Sequence, residues 1–143
     1  MKLYFVLVAP ARPANVGAAA RAMKTMGLFK LYLVAPALFP HAKANEMAVG
    51  ATDILEQATR VDTLDEAIAD CTLIMGASAR TRTIPWPLLT PRAMAEKIQQ
   101  ESSNSQIAIL FGREQSGLSN EELQRCHLHV QIPANPDYSS LNL

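Results

Sequence analysis

The sequence contains little cysteine and no long apolar run, and both absences narrow the class of protein. Only Cys71 and Cys126 are cysteines. They have no CxxC spacing and no histidines at metal-ligand intervals, which argues against a disulfide framework and a zinc site, so we expect both to be buried. No apolar run approaches the roughly eighteen residues of a membrane span, and Leu3–Val8 is too short for a secretory signal. These absences predict a cytoplasmic protein.

Net charge is also lacking, since 13 basic side chains balance 13 acidic ones, and this argues against a protein that coats nucleic acid non-specifically. The charges are nevertheless unevenly distributed. Residues 1–45 contain six Lys or Arg residues and no acid, whereas residues 46–70 contain seven acids and one arginine. Two basic clusters are therefore candidates for contact with nucleic-acid phosphates, with ordinary solvated faces as the alternative. Within them, the residues predicted to bind RNA are Arg12, Lys24, Arg80 and Arg82.

Short apolar segments alternate with helical ones along the chain, which is the pattern of a parallel α/β sheet. The predicted strands are Leu3–Val8, Leu31–Val34, Leu73–Met75, Ile107–Phe111 and Leu128–Ile132. The predicted helices are Val16–Met26, Leu64–Ala69, Arg92–Gln100 and Asn120–Arg125, with a weaker helical signal at residues 45–57. Because no repeat or linker interrupts this pattern, we expect residues 1–143 to form a single domain, a Rossmann-like parallel sheet flanked by helices.

The local signatures of the commonest α/β chemistries are missing. The turn after the first strand reads PARPANVG rather than GxGxxG, which argues against a dinucleotide-binding domain. No GxxxxGK[ST] phosphate loop, GxSxG elbow or HExxH motif occurs either. Function must therefore depend on other segments.

Three segments follow predicted strands, at the positions where open α/β sheets bind ligands. They are residues 15–27, 111–119 and 132–143. Each also has a purely structural interpretation. Asn15 is expected to cap the first helix, with Arg21 near its start, and residues 111–119 read as a glycine-rich turn with a capping box at Ser119 and Glu122. Asx-type turns explain much of residues 132–143.

In this order, NxGxxxRxxxxxG at residues 15–27, FGREQSG at 111–117 and IPANPDYSSLNL at 132–143 resemble the three motifs of the SpoU family of SPOUT-class RNA 2′-O-ribose methyltransferases. With GASARTRTIPWP at residues 76–87, the sequence is similar to the TrmJ-type branch, which methylates cytidine and uridine in tRNA, along nearly its whole length.

This resemblance implies a SPOUT fold with a C-terminal trefoil knot, a homodimer, S-adenosylmethionine as cofactor and no metal. It also implies that the methyl acceptor is the ribose of nucleotide 32 in the anticodon loop of tRNA. Relatives continue past the third motif into a helix that closes the knot, whereas this sequence ends at Leu143. The resemblance therefore predicts that the knot is incomplete in this chain.

Matching the motifs residue by residue implies two sets of site residues. The catalytic set is Asn15, Arg21, Glu114, Ser140 and Asn142. The cofactor-binding set is Ala77, Ser78, Ala79, Gly112, Ile132, Ser139, Ser140 and Leu141. Because arginine is essentially always protonated, we expect Arg21 to bind a phosphate and stabilise the developing alkoxide rather than act as a simple base.

Two alternatives stay open. One is a non-catalytic RNA-binding module of the same fold, which the intact catalytic set argues against. The other is an enzyme that binds a different adenine nucleotide, which no phosphate-loop motif supports. Competition by nucleotide rather than by S-adenosylhomocysteine would identify the second.

Overall fold

In the computed structural model, which describes residues 1–78 and 87–133, the chain forms seven strands and six α-helices. The strands are β1 (Lys2–Val8), β2 (Lys30–Val34), β3 (Thr59–Val61), β4 (Leu73–Ala77), β5 (Leu88–Leu89), β6 (Gln106–Phe111) and β7 (Leu128–Val130). The helices are α1 (Pro13–Thr25), α2 (Ala42–Ala48), α3 (Thr52–Gln57), α4 (Leu64–Ile68), α5 (Pro91–Gln99) and α6 (Asn120–Gln124), with a 3₁₀ turn at Val49–Ala51.

All of these strands are parallel and lie in the order β3-β2-β1-β6-β4-β7-β5. Although β6 comes late in the chain, it occupies the middle of the sheet, where Leu110 lies opposite both Val6 of β1 and Gly76 of β4. The carboxyl ends of parallel strands meet at one edge of a sheet. The loops that follow β1, β6, β4 and β7 are therefore neighbours.

Helices cover both faces of the sheet, because alternate residues of each strand point to opposite sides. Val6 and Val8 pack into the core beneath α4 and α6, whereas Leu7 packs into the core beneath α1, α2 and α3. Ile107 joins a smaller cluster beneath α5. The result is a three-layered α/β domain in which the inner strands are mainly apolar, as expected for strands covered on both faces.

The five strands predicted from apolar runs are all present, but the sheet has two more. The missed strands, β3 and β5, pair only along one side, at the two ends of the sheet. Thr59 and Arg60 of β3 are exposed and β5 has only two residues, so neither contains the apolar run by which a buried strand is recognised. The four predicted helices are confirmed, and the weak helical signal at residues 45–57 corresponds to α2, the 3₁₀ turn and α3.

The two cysteines differ in burial. Cys126 is buried as predicted, whereas Cys71 is only partly buried, and both are free. Burial raises the pKa of the Cys126 thiol to about 12 and that of Cys71 to about 11, so both are thiols rather than thiolates at neutral pH. Among the helices of residues 1–78 and 87–133, none has the length and apolar character needed to cross a membrane.

Helix α1 makes a close contact with α2 at Gly17, which has no side chain. A methyl group added at Gly17 would overlap the carbonyl oxygen of Ala44 and crowd Met47. Ala44 is itself completely buried. Glycine at position 17 is therefore a packing requirement, since no larger side chain fits between the two helices.

We expect Gly17→Ala to destabilise the protein by about 1–3 kcal/mol, because the extra methyl group overpacks a contact with backbone rather than with a flexible side chain. The measurement is the free energy of unfolding from urea denaturation followed by circular dichroism. Gly50→Ala is the matched control, because a methyl group there meets only open space. Equal stability of the two variants would contradict this account of the α1–α2 contact.

Candidate active site

The segments singled out in the sequence converge at the carboxyl edge of the sheet. The loop after β1 leads into α1, the loop after β6 begins at Gly112, and β4 ends at Ala77. Because β6 lies between β1 and β4, the three loops are adjacent although almost a hundred residues separate the first from the last.

The carboxylate of Glu114 joins two of these loops. Its oxygens accept hydrogen bonds from the backbone N–H of Ala11 (2.9 and 3.1 Å), the backbone N–H of Arg12 (2.8 Å) and the Nδ2 of Asn15 (3.1 Å). Burial alone would raise the pKa of this carboxyl, but the hydrogen bonds from these three residues outweigh burial and lower it. Glu114 is therefore an ionised carboxylate at neutral pH. Its partners are neutral amide N–H donors at the start of α1.

The expectation that Asn15 caps this helix is wrong. The helix begins two residues earlier, at Pro13, and the cap position belongs to Arg12, which has extended backbone and makes no side-chain cap in the described part of the chain. Proline is well suited to the first helical position because its φ is already helical and its missing N–H needs no partner. Glu114 accepts instead from the backbone N–H groups of the two residues that directly precede the helix, Ala11 and Arg12. The amide of Asn15 completes the set of donors around that carboxylate.

The loop after β6 is closed upon itself. Arg113 and Gly117 form an antiparallel bridge, and Gly117 has a positive φ of 69°. A side chain at Gly112 would overlap the backbone of Gly117, so the space that glycine leaves is filled by the loop's own backbone. Gly112 is therefore required by the loop itself, and any contact that it makes with a ligand must come from its backbone.

The side chain of Arg113, next to Glu114, reaches the start of another helix. Its guanidinium donates to both carboxylate oxygens of Glu122 (2.9 and 3.1 Å), and Glu122 in turn accepts from the backbone N–H of Ser119 (2.7 Å). Ser119 and Glu122 form the predicted capping box. The sequence spacing revealed that box, but no local signal showed that Arg113 joins it. Ala11 was missed for a similar reason, since it contributes only a backbone N–H.

Arg21 lies farther from this cluster than the sequence suggested. It is the ninth residue of α1 rather than one near its start, about 9 Å along the helix axis from Asn15. Its side chain is exposed, and no carboxylate in residues 1–78 and 87–133 pairs with it. The structure thus brings Asn15 and Glu114 into contact, and among the described residues no carboxylate occupies the Arg21 guanidinium, which is open to an anionic ligand.

The residues predicted to hold the cofactor form a second group at this edge. Ser78 follows β4, and its backbone N–H donates to the carbonyl of Val130 at the end of β7 (2.9 Å). Ala77 and Ser78 are partly buried, whereas Ile132, two residues beyond β7, exposes 46% of its surface. This apolar side chain lies at the same edge as Gly112. The other predicted residues, namely Ala79, Ser139, Ser140, Leu141 and Asn142, lie outside the described residues.

The predicted phosphate contacts fall in different places. Arg12 is exposed at the start of α1, beside the Glu114 cluster, and its side chain has no ion-pair partner among the described residues. Lys24 lies in the last turn of the same helix and pairs with Asp53 (3.1 Å). Arg80 and Arg82 lie outside the described ranges. Within those ranges, no three His, Cys, Asp or Glu side chains are grouped as metal ligands.

We expect Glu114→Gln to lower the free energy of unfolding by about 1–3 kcal/mol near neutral pH, because a neutral amide cannot accept from all three donors. The folded pKa of Glu114 lies below its ordinary value of 4.5, so its contribution is fully present above that pH and is lost as the pH falls through the folded pKa.

The measurement is urea unfolding of both proteins from neutral pH down through pH 4.5. The difference between wild type and variant should be constant at first and should shrink on acidification. Glu96→Gln is the control, because Glu96 is exposed on α5. A difference that grows as the pH falls would rule out this role for the Glu114 carboxylate.

With this geometry in view, the chain can be compared with known proteins. It matches the SpoU rRNA Methylase family over residues 2–143. It is 54% identical over 138 residues to the tRNA (cytidine/uridine-2′-O-)-methyltransferase TrmJ of Pectobacterium atrosepticum, a match that covers 96% of this chain and 57% of that protein. The chain thus spans little more than half the length of this relative.

Solved structures share the fold. TrmJ from Z. mobilis ZM4 superposes with a TM-score of 0.95 at 37% identity, covering 100% of this chain and 63% of the other. The SpoU methyltransferase AviRb from Streptomyces viridochromogenes, determined in complex with the cofactor AdoMet, superposes with a TM-score of 0.74 at 20% identity, covering 99% and 54% of the two chains. The match along the whole sequence, and the same α/β architecture in these structures, lead to one conclusion: the chain belongs to the SpoU rRNA Methylase family.

Proposed function

We propose that residues 1–143 form the methyltransferase domain of an S-adenosylmethionine-dependent tRNA 2′-O-ribose methyltransferase. The proposed acceptor is cytidine or uridine at nucleotide 32 of the anticodon loop, and the proposed working form is a cytoplasmic homodimer whose C-terminal part enters a trefoil knot. The observation that carries the proposal is the Glu114 carboxylate bound to Ala11, Arg12 and Asn15 at the carboxyl edge, with the exposed guanidinium of Arg21 on the same helix.

The described residues at the ends of β4, β6 and β7 fit the proposed cofactor. S-adenosylmethionine has a flat adenine with apolar faces and polar edges, and when bound it supplies an electrophilic methyl group. Ile132 offers an exposed apolar surface for such a ring, while Ala77 and Ser78 are small and partly buried beside it. Gly112 contributes backbone only, for the reason given above. The remaining proposed members of this pocket are Ala79, Ser139, Ser140 and Leu141.

Removal of a proton from a weakly acidic ribose hydroxyl makes positioning and electrostatics the main tasks of the protein. The Arg21 guanidinium is permanently charged and is not neutralised by a described carboxylate, so it can bind an RNA phosphate and stabilise negative charge as it develops on the 2′ oxygen.

Glu114 is a poor general base in this scheme, because its lowered pKa makes it a weak proton acceptor and three donors already occupy it. Its role is to fix the position of the start of α1. It thereby also fixes the direction from which the Arg21 guanidinium approaches the RNA. Asn15 shares this positioning role, and we assign Ser140 and Asn142 to the acceptor side of the site.

Arg12 extends the proposed RNA surface. It is exposed one residue before α1, at the edge where Glu114 holds its backbone. Together with Arg80 and Arg82 it would contact phosphates on either side of the target nucleotide. Lys24 makes a weaker candidate for direct contact, because an acidic neighbour already pairs with it.

Calorimetric titration of the chain with S-adenosylhomocysteine, ATP and NAD in one buffer tests the cofactor assignment. We expect saturable binding of S-adenosylhomocysteine alone, because no phosphate-binding loop is present for the two nucleotides. Preferential binding of ATP or NAD would favour the alternative adenine-nucleotide enzyme. Binding of tRNA without any binding of S-adenosylhomocysteine would favour the non-catalytic RNA module.

Arg21→Ala tests the catalytic assignment. We expect single-turnover methylation of tRNA to fall by about a hundredfold or more at saturating RNA, the size of effect seen when one transition-state donor is removed. Binding of S-adenosylhomocysteine should be unchanged. Arg92→Ala, which removes an exposed arginine from α5, is the control. Retained methylation by Arg21→Ala would refute the proposed role of Arg21.

A further inference from the structure

Lys24 makes two contacts with the segment that packs against α1. Its Nζ lies 3.1 Å from a carboxylate oxygen of Asp53 and 3.0 Å from the carbonyl oxygen of Gly50. We propose that Lys24 is a positioning residue that keeps the Asp53 carboxylate from pairing with Arg21, so that the Arg21 guanidinium stays open to RNA phosphate. This inference rests on the role given to Arg21 in the proposed function.

Helix geometry places Arg21 beside this pair. Gly17, Arg21 and Lys24 follow the i, i+4, i+7 spacing and therefore share one stripe of α1. Gly17 packs on Ala44, and Lys24 binds Gly50, so both ends of the stripe face the same segment. Arg21 lies one turn from Lys24, where three-residue spacing brings side chains within reach of a common partner.

Asp53 is the carboxylate best placed to capture Arg21 once Lys24 is removed. Glu46 already pairs with Lys43 (3.4 Å). Glu56 is exposed one turn farther along α3, which runs back toward the amino ends of the strands and therefore away from Arg21. The Asp53 side chain is partly exposed, so it can turn toward a new cation without disturbing the core.

Capture of Arg21 by Asp53 would oppose RNA binding directly. A guanidinium and a carboxylate form a bidentate pair of the same geometry as a guanidinium and a phosphate. The RNA would have to displace Asp53 before it could bind Arg21. Because exposed ion pairs are weak, we expect this competition to lower RNA affinity by about two- to fivefold.

The exchange of partners can be measured without any enzyme activity, by NMR titration of the Asp53 carboxyl. In the wild-type chain its pKa lies below the ordinary value, chiefly because Lys24 donates a hydrogen bond to it. We expect the pKa to remain low in Lys24→Met, where Arg21 takes the place of Lys24, and to be higher in Lys24→Met/Arg21→Met, where only the backbone hydrogen bonds of Asp53 and Ile54 still lower it. Equal pKa values in the single and double variants would overturn the proposal.

The functional consequence is tested by tRNA affinity and by methylation kinetics at low and saturating tRNA. We expect Lys24→Met to weaken binding and raise KM two- to fivefold while kcat stays near the wild-type value. Asp53→Asn should restore the affinity in the Lys24→Met background, and Lys24→Arg should retain it. Lys43→Met, which breaks the exposed pair with Glu46, is the matched control for loss of one positive charge.

Failure of rescue by Asp53→Asn would show that Lys24 acts otherwise, either by direct contact with RNA or by tethering Gly50, and would overturn the proposal. This result is distinguishable from failure of the proposed function. If the proposed function failed, Arg21→Ala would leave methylation intact. If only the role of Lys24 failed, Arg21→Ala would still abolish methylation, and only the rescue by Asp53→Asn would be missing.

Discussion

The site depends on one carboxylate that accepts hydrogen bonds from the far end of the sequence. Helix α1 begins with backbone N–H groups that need acceptors, and no side chain at its cap position supplies one within the described structure. Glu114, in a loop about a hundred residues later, accepts from the two backbone N–H groups just before the helix, those of Ala11 and Arg12. The contact ties the end of β1 to the end of β6 and sets where α1 starts. The position of every side chain on α1, Arg21 included, follows from it.

Charges in this fold divide into those with structural partners and those without. Glu114 is held by amide donors, Arg113 by Glu122 and Lys24 by Asp53. Within residues 1–78 and 87–133, Arg12 and Arg21 have no ion-pair partner. A chain with no net charge therefore presents locally positive side chains at the start of α1 and along it, where they would attract anionic ligands.

The sequence correctly predicted the features that depend on residues close together in the chain. It did not predict the features that depend on contacts between distant residues. Apolar runs identified the inner strands, and serine with glutamate three residues later identified the start of α6. Asn15 was assigned as a cap because asparagine is favoured there, but the cap position belongs to Arg12 and the Asn15 amide donates to Glu114 in another loop. No spacing rule connects positions 15 and 114. The edge strands β3 and β5 were not predicted because they are short or polar and contain no long apolar run. The three motifs indicated the family, but only the structure showed how their residues lie relative to one another.

The strand order also has a consequence for how the chain folds during synthesis. Strands β1, β2 and β3 can pair as they emerge, but β4 has no neighbour until β6 inserts between it and β1. Until residues 106–111 have been made, the nascent chain therefore carries one piece of sheet, β1-β2-β3, whose β1 edge is open, together with unpaired β4 and β5. Such long-range closure slows folding, because the entropy of a large loop is lost before its contacts form. The Glu114 carboxylate follows directly after that strand, so the insertion of β6 between β1 and β4 and the formation of the Glu114 contacts are coupled late events.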